Sequence, residues 1–304
     1  MNGPGGFLNL RKPRGITSHD AIESVRGILG VNAGHGGTLD PIAEGVLPVA
    51  LGHATRFLAY LRHDKEYEAV MRLGVTSDTL DVTGALTPPV EITSAPSQIR
   101  AAGETLVGLL DLPVPAFSAV QVDGRRLYDA AREAAAGGRP APESPVRRMQ
   151  VFSLEVLEVA PPQVRFTLSC AGGVYVRSVI AEWGRLLGCG AIMERLVRTR
   201  AGSFALADSV DLESLRFLAE AGRAAEAILP AARALGHVPE AGLDAASVSR
   251  LLHGQPAPAP AGLSVEPGAP VRLTDPAGRM IGLGRLDGGA LVPLRLLPAG
   301  ESIV

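Results

Sequence analysis

The stretch Gly34-His35-Gly36-Gly37-Thr38-Leu39-Asp40-Pro41 has residue types and spacing suited to chemistry. It carries one imidazole and one carboxylate five residues apart on a glycine-rich backbone, and Gly45 follows at the start of an apolar run to Leu51. Glycines permit positive φ and close approach to another surface. Pro41 biases Asp40 toward an extended conformation, so the carboxylate projects from a stiff loop end. An aspartate can act as a covalent nucleophile or a general base, and a nearby cation keeps it ionised. Arg177 is the candidate cation, because it opens a strongly apolar helix where a solvated arginine is not expected. Each of these residues also admits a plainer reading. Arg177 could be a surface arginine at a helix start, Tyr67 a core aromatic at the head of a strand, His35 a turn residue, Leu196 a core leucine, and the whole loop a structural turn.

Other chemistries lack their residues. The histidines stand at 19, 35, 53, 63, 237 and 253, without a pair at helical ligand spacing beside a carboxylate. The phosphate-cradling Gly-x-x-x-x-Gly-Lys-Ser/Thr loop and the Gly-x-Ser-x-Gly elbow do not occur. No cofactor is suggested. Two cysteines, Cys170 and Cys189, make neither a disulfide framework nor a zinc quartet, which points to a reducing compartment and buried packing thiols.

Elements must bring these residues into place. With 304 residues, 46% hydrophobic and 20% charged, the chain can bury a substantial core and suggests two domains. It has no apolar run long enough to span a membrane, and Met1 to Arg14 lacks a signal-peptide pattern. The net charge of −2 argues against a general polyanion binder, although Arg125–Arg126, Arg147–Arg148 and Arg195, Arg198 and Arg200 form local clusters, which could be solvated faces.

Leu8 to Gly15 reads as a strand and turn. A helix over 18–29 follows, with Thr17 and Asp20 at capping-box spacing and Gly30 as its stop. Alternation from Tyr67 to Leu73 predicts a strand, and 76–87 a polar loop or hairpin. Pro96 opens a second helix, and Gly124 to Ala136 forms a turn and short helix. Residues 137–145 form a flexible excursion. Strands are expected at 149–159 and 164–170, then a helix with Val176, Val179, Ile180, Trp183 and Leu187 on one stripe. An alanine-rich helical stretch runs from Leu212 to about Ala234. After it, a short helix at 244–253 and strands at 271–273, 280–286 and 291–297 indicate a small β module. The expected domains are therefore 1–234 and 235–304.

Taken together, these motifs resemble the TruB family, bacterial-type synthases that make pseudouridine at position 55 in the TΨC loop of tRNA. The resemblance rests on Lys12-Pro13-x-Gly15, the Gly34–Pro41 block, Gly45-Val46-Leu47-Pro48 with Gly52-x-Ala54-Thr55, and Lys65-x-Tyr67. It continues through Leu73-Gly74, Thr79-x-Asp81-x-Thr83-Gly84, Pro115-Ala116-Phe117-Ser118-Ala119 and Gly173-Val174-Tyr175-Val176-Arg177. Gly188-Cys189-Gly190-Ala191 and Leu196-x-Arg198-Thr199 complete it.

The resemblance implies an α/β (α+β) fold: a mixed-sheet catalytic domain followed by a small C-terminal β-rich domain of the PUA type. It makes Asp40 the catalytic aspartate, paired with Arg177, with Tyr67 stacking on the target base and Leu196 packing on the pocket. His35 would enter the RNA loop and fill the space of the extruded uridine, while Lys12 and Tyr175 support the site. It further implies a cytoplasmic monomer acting on the T-arm stem-loop of tRNA without cofactor, metal, membrane or obligatory protein partner. Two positions depart from the family pattern: Phe117 stands where tyrosine is common and Gln121 where lysine is common, both in the expected RNA-contacting segment. A guide-RNA-dependent pseudouridine synthase and a non-catalytic RNA-binding protein or RNA chaperone are the alternatives.

Overall fold

The computed structural model describes residues 5–118, 120–122, 124–137 and 143–298. Ala119 of the Pro115–Ala119 motif and most of the expected excursion at 137–145 lie outside the described residues. The chain forms two compact units, one of residues 1–62 with 201–304 and the other of residues 63–200.

The first unit begins with β1 (Gly6–Lys12), α1 (Ser18–Leu29), β2 (Ala33–His35) and β3 (Glu44–Leu51). β3 pairs antiparallel with β1, from Gly6↔Leu51 to Lys12↔Gly45, and also with β2, where His35 faces Val49. The expected capping box holds at the predicted place. The Asp20 N–H donates to Thr17 Oγ1 at 3.0 Å and the Thr17 N–H to Asp20 Oδ2 at 2.9 Å. The Thr17 hydroxyl, donating to Asp20 Oδ2 at 2.7 Å, and then the Thr17 N–H hold the Asp20 carboxyl below its ordinary pKa. Gly30 closes the helix with φ +66°, a value that glycine adopts without cost. Leu8 and Leu10 pack with Ala21, Ile22 and Val25 of α1, whereas Phe7 belongs to a second cluster with Val46, Ala50 and Phe57. β1 is therefore covered on both faces, which accounts for the unbroken burial from Gly6 to Leu10, Asn9 included.

The second unit runs through β4 (Lys65–Leu73), α2 (Pro96–Glu104), β5 (Gly108–Pro113), β6 (Gln121–Val122), β7 (Arg125–Arg126), α3 (Leu127–Ala136), β8 (Val146–Ala160), β9 (Gln163–Cys170), α4 (Val176–Leu186) and β10 (Ala191–Ala201). Strands β4, β9, β8 and β5 are successive antiparallel neighbours, with β10 on the other side of β4. In β4, Tyr67, Ala69, Met71 and Leu73 point inward, as the alternation requires. Trp183 anchors α4: its Nε1–H donates to the Ile99 carbonyl at 3.0 Å, and its ring meets Phe166 edge-on with centroids 5.2 Å apart. A Cβ on Gly103 of α2 would collide with that indole, so only glycine lets α2 lie so close.

The first unit resumes with β11 (Phe204–Ala205), α5 (Leu212–Glu220), β12 (Ile228–Leu229), α6 (Ala231–Ala234), β13 (Glu240–Gly242), α7 (Ala245–Leu252), β14 (Ala257–Pro258), β15 (Pro270–Thr274), β16 (Met280–Asp287) and β17 (Ala290–Leu296). The alanine-rich stretch is not one helical run. Gly222 takes φ +70°, and the chain reaches Pro230 through the short strand β12, which pairs with β1. The C-terminal strands form a five-stranded sheet in the order β13-β15-β16-β17-β14, with β13 and β15 parallel. Val271, Leu273 and Leu291 pack under α7 through Leu251, while Met280, Leu283 and Leu297 join the cluster of Phe7 and Val46.

Candidate active site

Asp40 lies just past β2 at the mouth of a tight loop, half-buried between buried Leu39 and Ile42. Several bonds fix the loop. Leu39 is clamped by Ser18, which accepts the Leu39 N–H at 2.8 Å and donates its hydroxyl to the Leu39 carbonyl at 3.0 Å. The Asp40 carbonyl accepts Ala43 N–H at 3.0 Å, and the Pro41 carbonyl accepts Gly15 N–H at 2.8 Å. Gly37 takes φ +113°, and a Cβ on Gly36 would meet Leu61 Cδ1 at 3.0 Å. Gly37 is thus favoured by its conformation, while a side chain at Gly36 would make the end of Leu61 give by a few tenths of an ångström. Ser18 was not a sequence candidate; its signal was a small polar residue opening an otherwise amphipathic helix.

His35 ends β2 and is half-buried at the head of the same loop. Lys12 ends β1 fully buried, and its Nζ donates to the carbonyls of Pro13 at 2.8 Å and Ile16 at 2.7 Å. An ammonium can be buried only when it is hydrogen-bonded, so this lysine holds the turn that carries the chain into α1. Lys12, His35 and Asp40 thus share the first unit.

The second unit carries Tyr67, Tyr175, Arg177 and Leu196. Tyr67 is buried on β4 opposite Leu168 of β9. Two residues before it, Lys65 faces Cys170; burial first, and then Arg198, lower the lysine's pKa, while burial pushes the Cys170 thiol up to about 12. Cys170 is therefore a neutral packing group at any ordinary pH. Tyr175 precedes α4 with extended backbone and accepts the N–H groups of Ser178 and Val179 on its carbonyl.

Arg177 is only 5% exposed. Its Nη1 donates to the Thr79 carbonyl at 2.9 Å and lies 3.9 Å from Asp81 Oδ2, while Nη2 donates to the Phe117 carbonyl at 3.1 Å. Asp81 is itself held, its Oδ1 accepting the Thr79 hydroxyl at 2.8 Å, the Thr83 N–H at 2.9 Å and the Thr83 hydroxyl at 2.5 Å. The surface-arginine reading of Arg177 is thereby excluded. In the sequence Asp81, Thr79 and Thr83 stand out only as a motif; polar side chains at every second position of a turn are the available sign of a shared acceptor.

Leu196 is buried on β10, a strand that periodicity did not reveal. Its arginines differ from one another: Arg195 is exposed, Arg198 fully buried, and Arg200 paired with Asp64 at 2.8 Å and Glu66 at 2.6 Å. The cluster is not one solvated face. Phe117, where the family commonly has tyrosine, packs edge-on against Tyr128, whose ring in turn carries Arg132. Gln121 is exposed.

The TruB family pseudouridylate synthase N-terminal domain matches residues 26–176. Two C-terminal domains of the same enzymes match residues 177–235 and 239–297. A tRNA pseudouridine synthase B of Pseudomonas aeruginosa is 39% identical over 302 residues, spanning 96% of this chain and 95% of its own. The chain belongs to the TruB family. Another relative of that name, from Acaryochloris marina, is 36% identical over 97% of this chain and 99% of its own. Among solved structures, an H/ACA RNP bound to a substrate RNA containing 2'-deoxyuridine superposes with a TM-score of 0.74 at 27% identity, covering 97% of this chain and 86% of that one. A Cbf5-Nop10-Gar1 complex gives 0.71 at 28% identity, covering 98% of this chain and 85% of that one. Within this family the chain is an enzyme, a pseudouridine synthase.

Proposed function

We infer that this chain isomerises uridine to pseudouridine at position 55 in the TΨC loop of tRNA. The carrying observation is the near-full-length similarity to bacterial tRNA pseudouridine synthase B. The clamped glycine loop that presents Asp40 fits the same chemistry.

A base stacked within an RNA loop is out of reach, so the target uridine must be flipped into a pocket at a cost of about a few kcal/mol. His35 fills the gap it leaves, and Tyr67 stacks on the extruded base, a contact worth roughly 1–3 kcal/mol. Asp40 assists cleavage of the bond from N1 to the sugar. The uracil turns in place and is rejoined through C5, which gives up its proton while N1 gains one. No group is imported and nothing is oxidised. Arg177 is the cation of the site, Leu196 packs on the pocket, and Lys12 and Tyr175 support it.

Residues 235–304 serve as a PUA-like RNA-binding module following a catalytic domain at 1–234. Among the described residues no helix is long and apolar enough to cross a membrane. On this reading the enzyme is a cytoplasmic monomer that meets the T-arm stem-loop unaided. The second reading, a guide-RNA-dependent synthase, has the structural likeness in its favour, since those solved structures are complexes. The higher identity to the bacterial enzymes favours independent action.

The test is Asp40→Asn on a T-arm hairpin. Binding should stay within about threefold while single-turnover pseudouridine formation falls by at least about a thousandfold. Formation at the parental rate would remove Asp40 from the chemistry.

A further inference from the structure

Leu80 is the one non-glycine residue among those described with φ in the left-handed region, at +61°. The conformation is costly for any L-residue, and leucine has no side-chain hydrogen bond with which to offset it. Such strain persists only where surrounding contacts over-determine the backbone, and here they do. The Leu80 N–H donates to the Ser77 carbonyl at 3.3 Å, and its carbonyl accepts Met193 N–H at 3.0 Å. The Val82 N–H then donates to the Met193 carbonyl at 3.1 Å, stitching residues 80–82 to β10. The Ser77 hydroxyl donates to the Asp81 carbonyl at 2.7 Å. At the far end, a Cβ on Gly84 would collide with the Asp78 carboxylate and the Thr79 hydroxyl.

The two residues flanking Leu80 are those that meet Arg177. The Thr79 carbonyl and Asp81 Oδ2 approach the same nitrogen, Nη1, at 2.9 and 3.9 Å. The φ of Leu80 sets the plane of the Thr79–Leu80 peptide. Moving it to the ordinary basin, a rotation of about 120°, would swing the Thr79 carbonyl off the guanidinium while β10 keeps Asp81 in place.

We propose that Leu80 is a positioning residue for pseudouridine formation: its left-handed backbone locks Thr79 and Asp81 together onto Arg177 and so fixes where the guanidinium points. The proposal rests on Arg177 being the cation of the catalytic site.

The experiment compares Leu80→Val, whose branched side chain resists positive φ, with Leu80→Asn, which tolerates it. Single-turnover rates, hairpin affinity and thermal midpoints are measured for both, alone and combined with Arg177→Met. Leu80→Val should slow formation by about tenfold or more with affinity within about threefold, because small displacements of a reacting constellation cost rate. Leu80→Asn should regain most of the rate. In the Arg177→Met background Leu80→Val should cost less than about twofold further, since both changes act through one group. A merely structural role would lose the same factor in either background.

Should Leu80→Val melt below the assay temperature, Leu80→Ala supplies the contrast with Leu80→Asn. A slow Arg177→Met beside a fast Leu80→Val, a Leu80→Asn as slow as Leu80→Val, or fully additive losses would overturn the role of Leu80. A parental rate in Arg177→Met would instead remove the assignment of Arg177, and the role of Leu80 with it.

Discussion

Asp40 and Arg177 are held in contrasting ways. The Asp40 loop takes its shape from its own glycines at 36 and 37 and proline at 41, and from the Ser18 clamp 21 residues before Leu39. Its carboxylate is half-buried. Arg177 is almost fully buried and gripped by groups far away in sequence, the carbonyls of Thr79 and Phe117 and the carboxylate of Asp81. One region keeps the proposed reactive carboxylate accessible on a shaped backbone. The other holds a charge immobile, as pre-organised electrostatics requires.

The contrast can be broken by mutation. Arg177→Met should have the largest combined effect: turnover falls by about a hundredfold or more, affinity changes far less, and the thermal midpoint drops by several degrees because Asp81 is left buried beside no cation. Asp40→Asn should leave the midpoint within about 2 °C. Equal losses of turnover and affinity in Arg177→Met would mark it as a simple phosphate contact. Gly37→Ala comes next, forcing an L-residue to φ +113°; kcat/KM should fall by about tenfold through misplacement of Asp40. Ser18→Ala removes both bonds to Leu39 in a buried setting, and calorimetry should record a loss of about 1–3 kcal/mol with turnover reduced severalfold. Thr17→Ala removes only the helix cap, for about 1 kcal/mol in a denaturant melt and no change in rate. If Thr17→Ala slowed turnover as much as Ser18→Ala, the clamp would have no special part in placing Asp40.

What was legible in the sequence follows the same division. The 18–29 helix was readable to the residue, because Thr17, Asp20 and Gly30 act within one turn of its ends. The glycine loop was readable as a place for chemistry for a similar reason. β10 was not, because Arg198 takes a buried place in its alternation and Arg200 owes its pairing to Asp64 and to Glu66 of β4. The break in the alanine-rich stretch was hidden by composition, since alanine favours helix wherever nothing else decides. The grip on Arg177 depends on carbonyls 60 and 98 residues away, which no periodicity can announce.

The most direct test is to incubate an unmodified, defined tRNA with the purified protein alone and map pseudouridine at single-nucleotide resolution. Pseudouridine at position 55, formed without guide RNA or added protein, is the predicted result. An unmodified uridine 55 that converts only when a guide RNA or partner protein is supplied would contradict it.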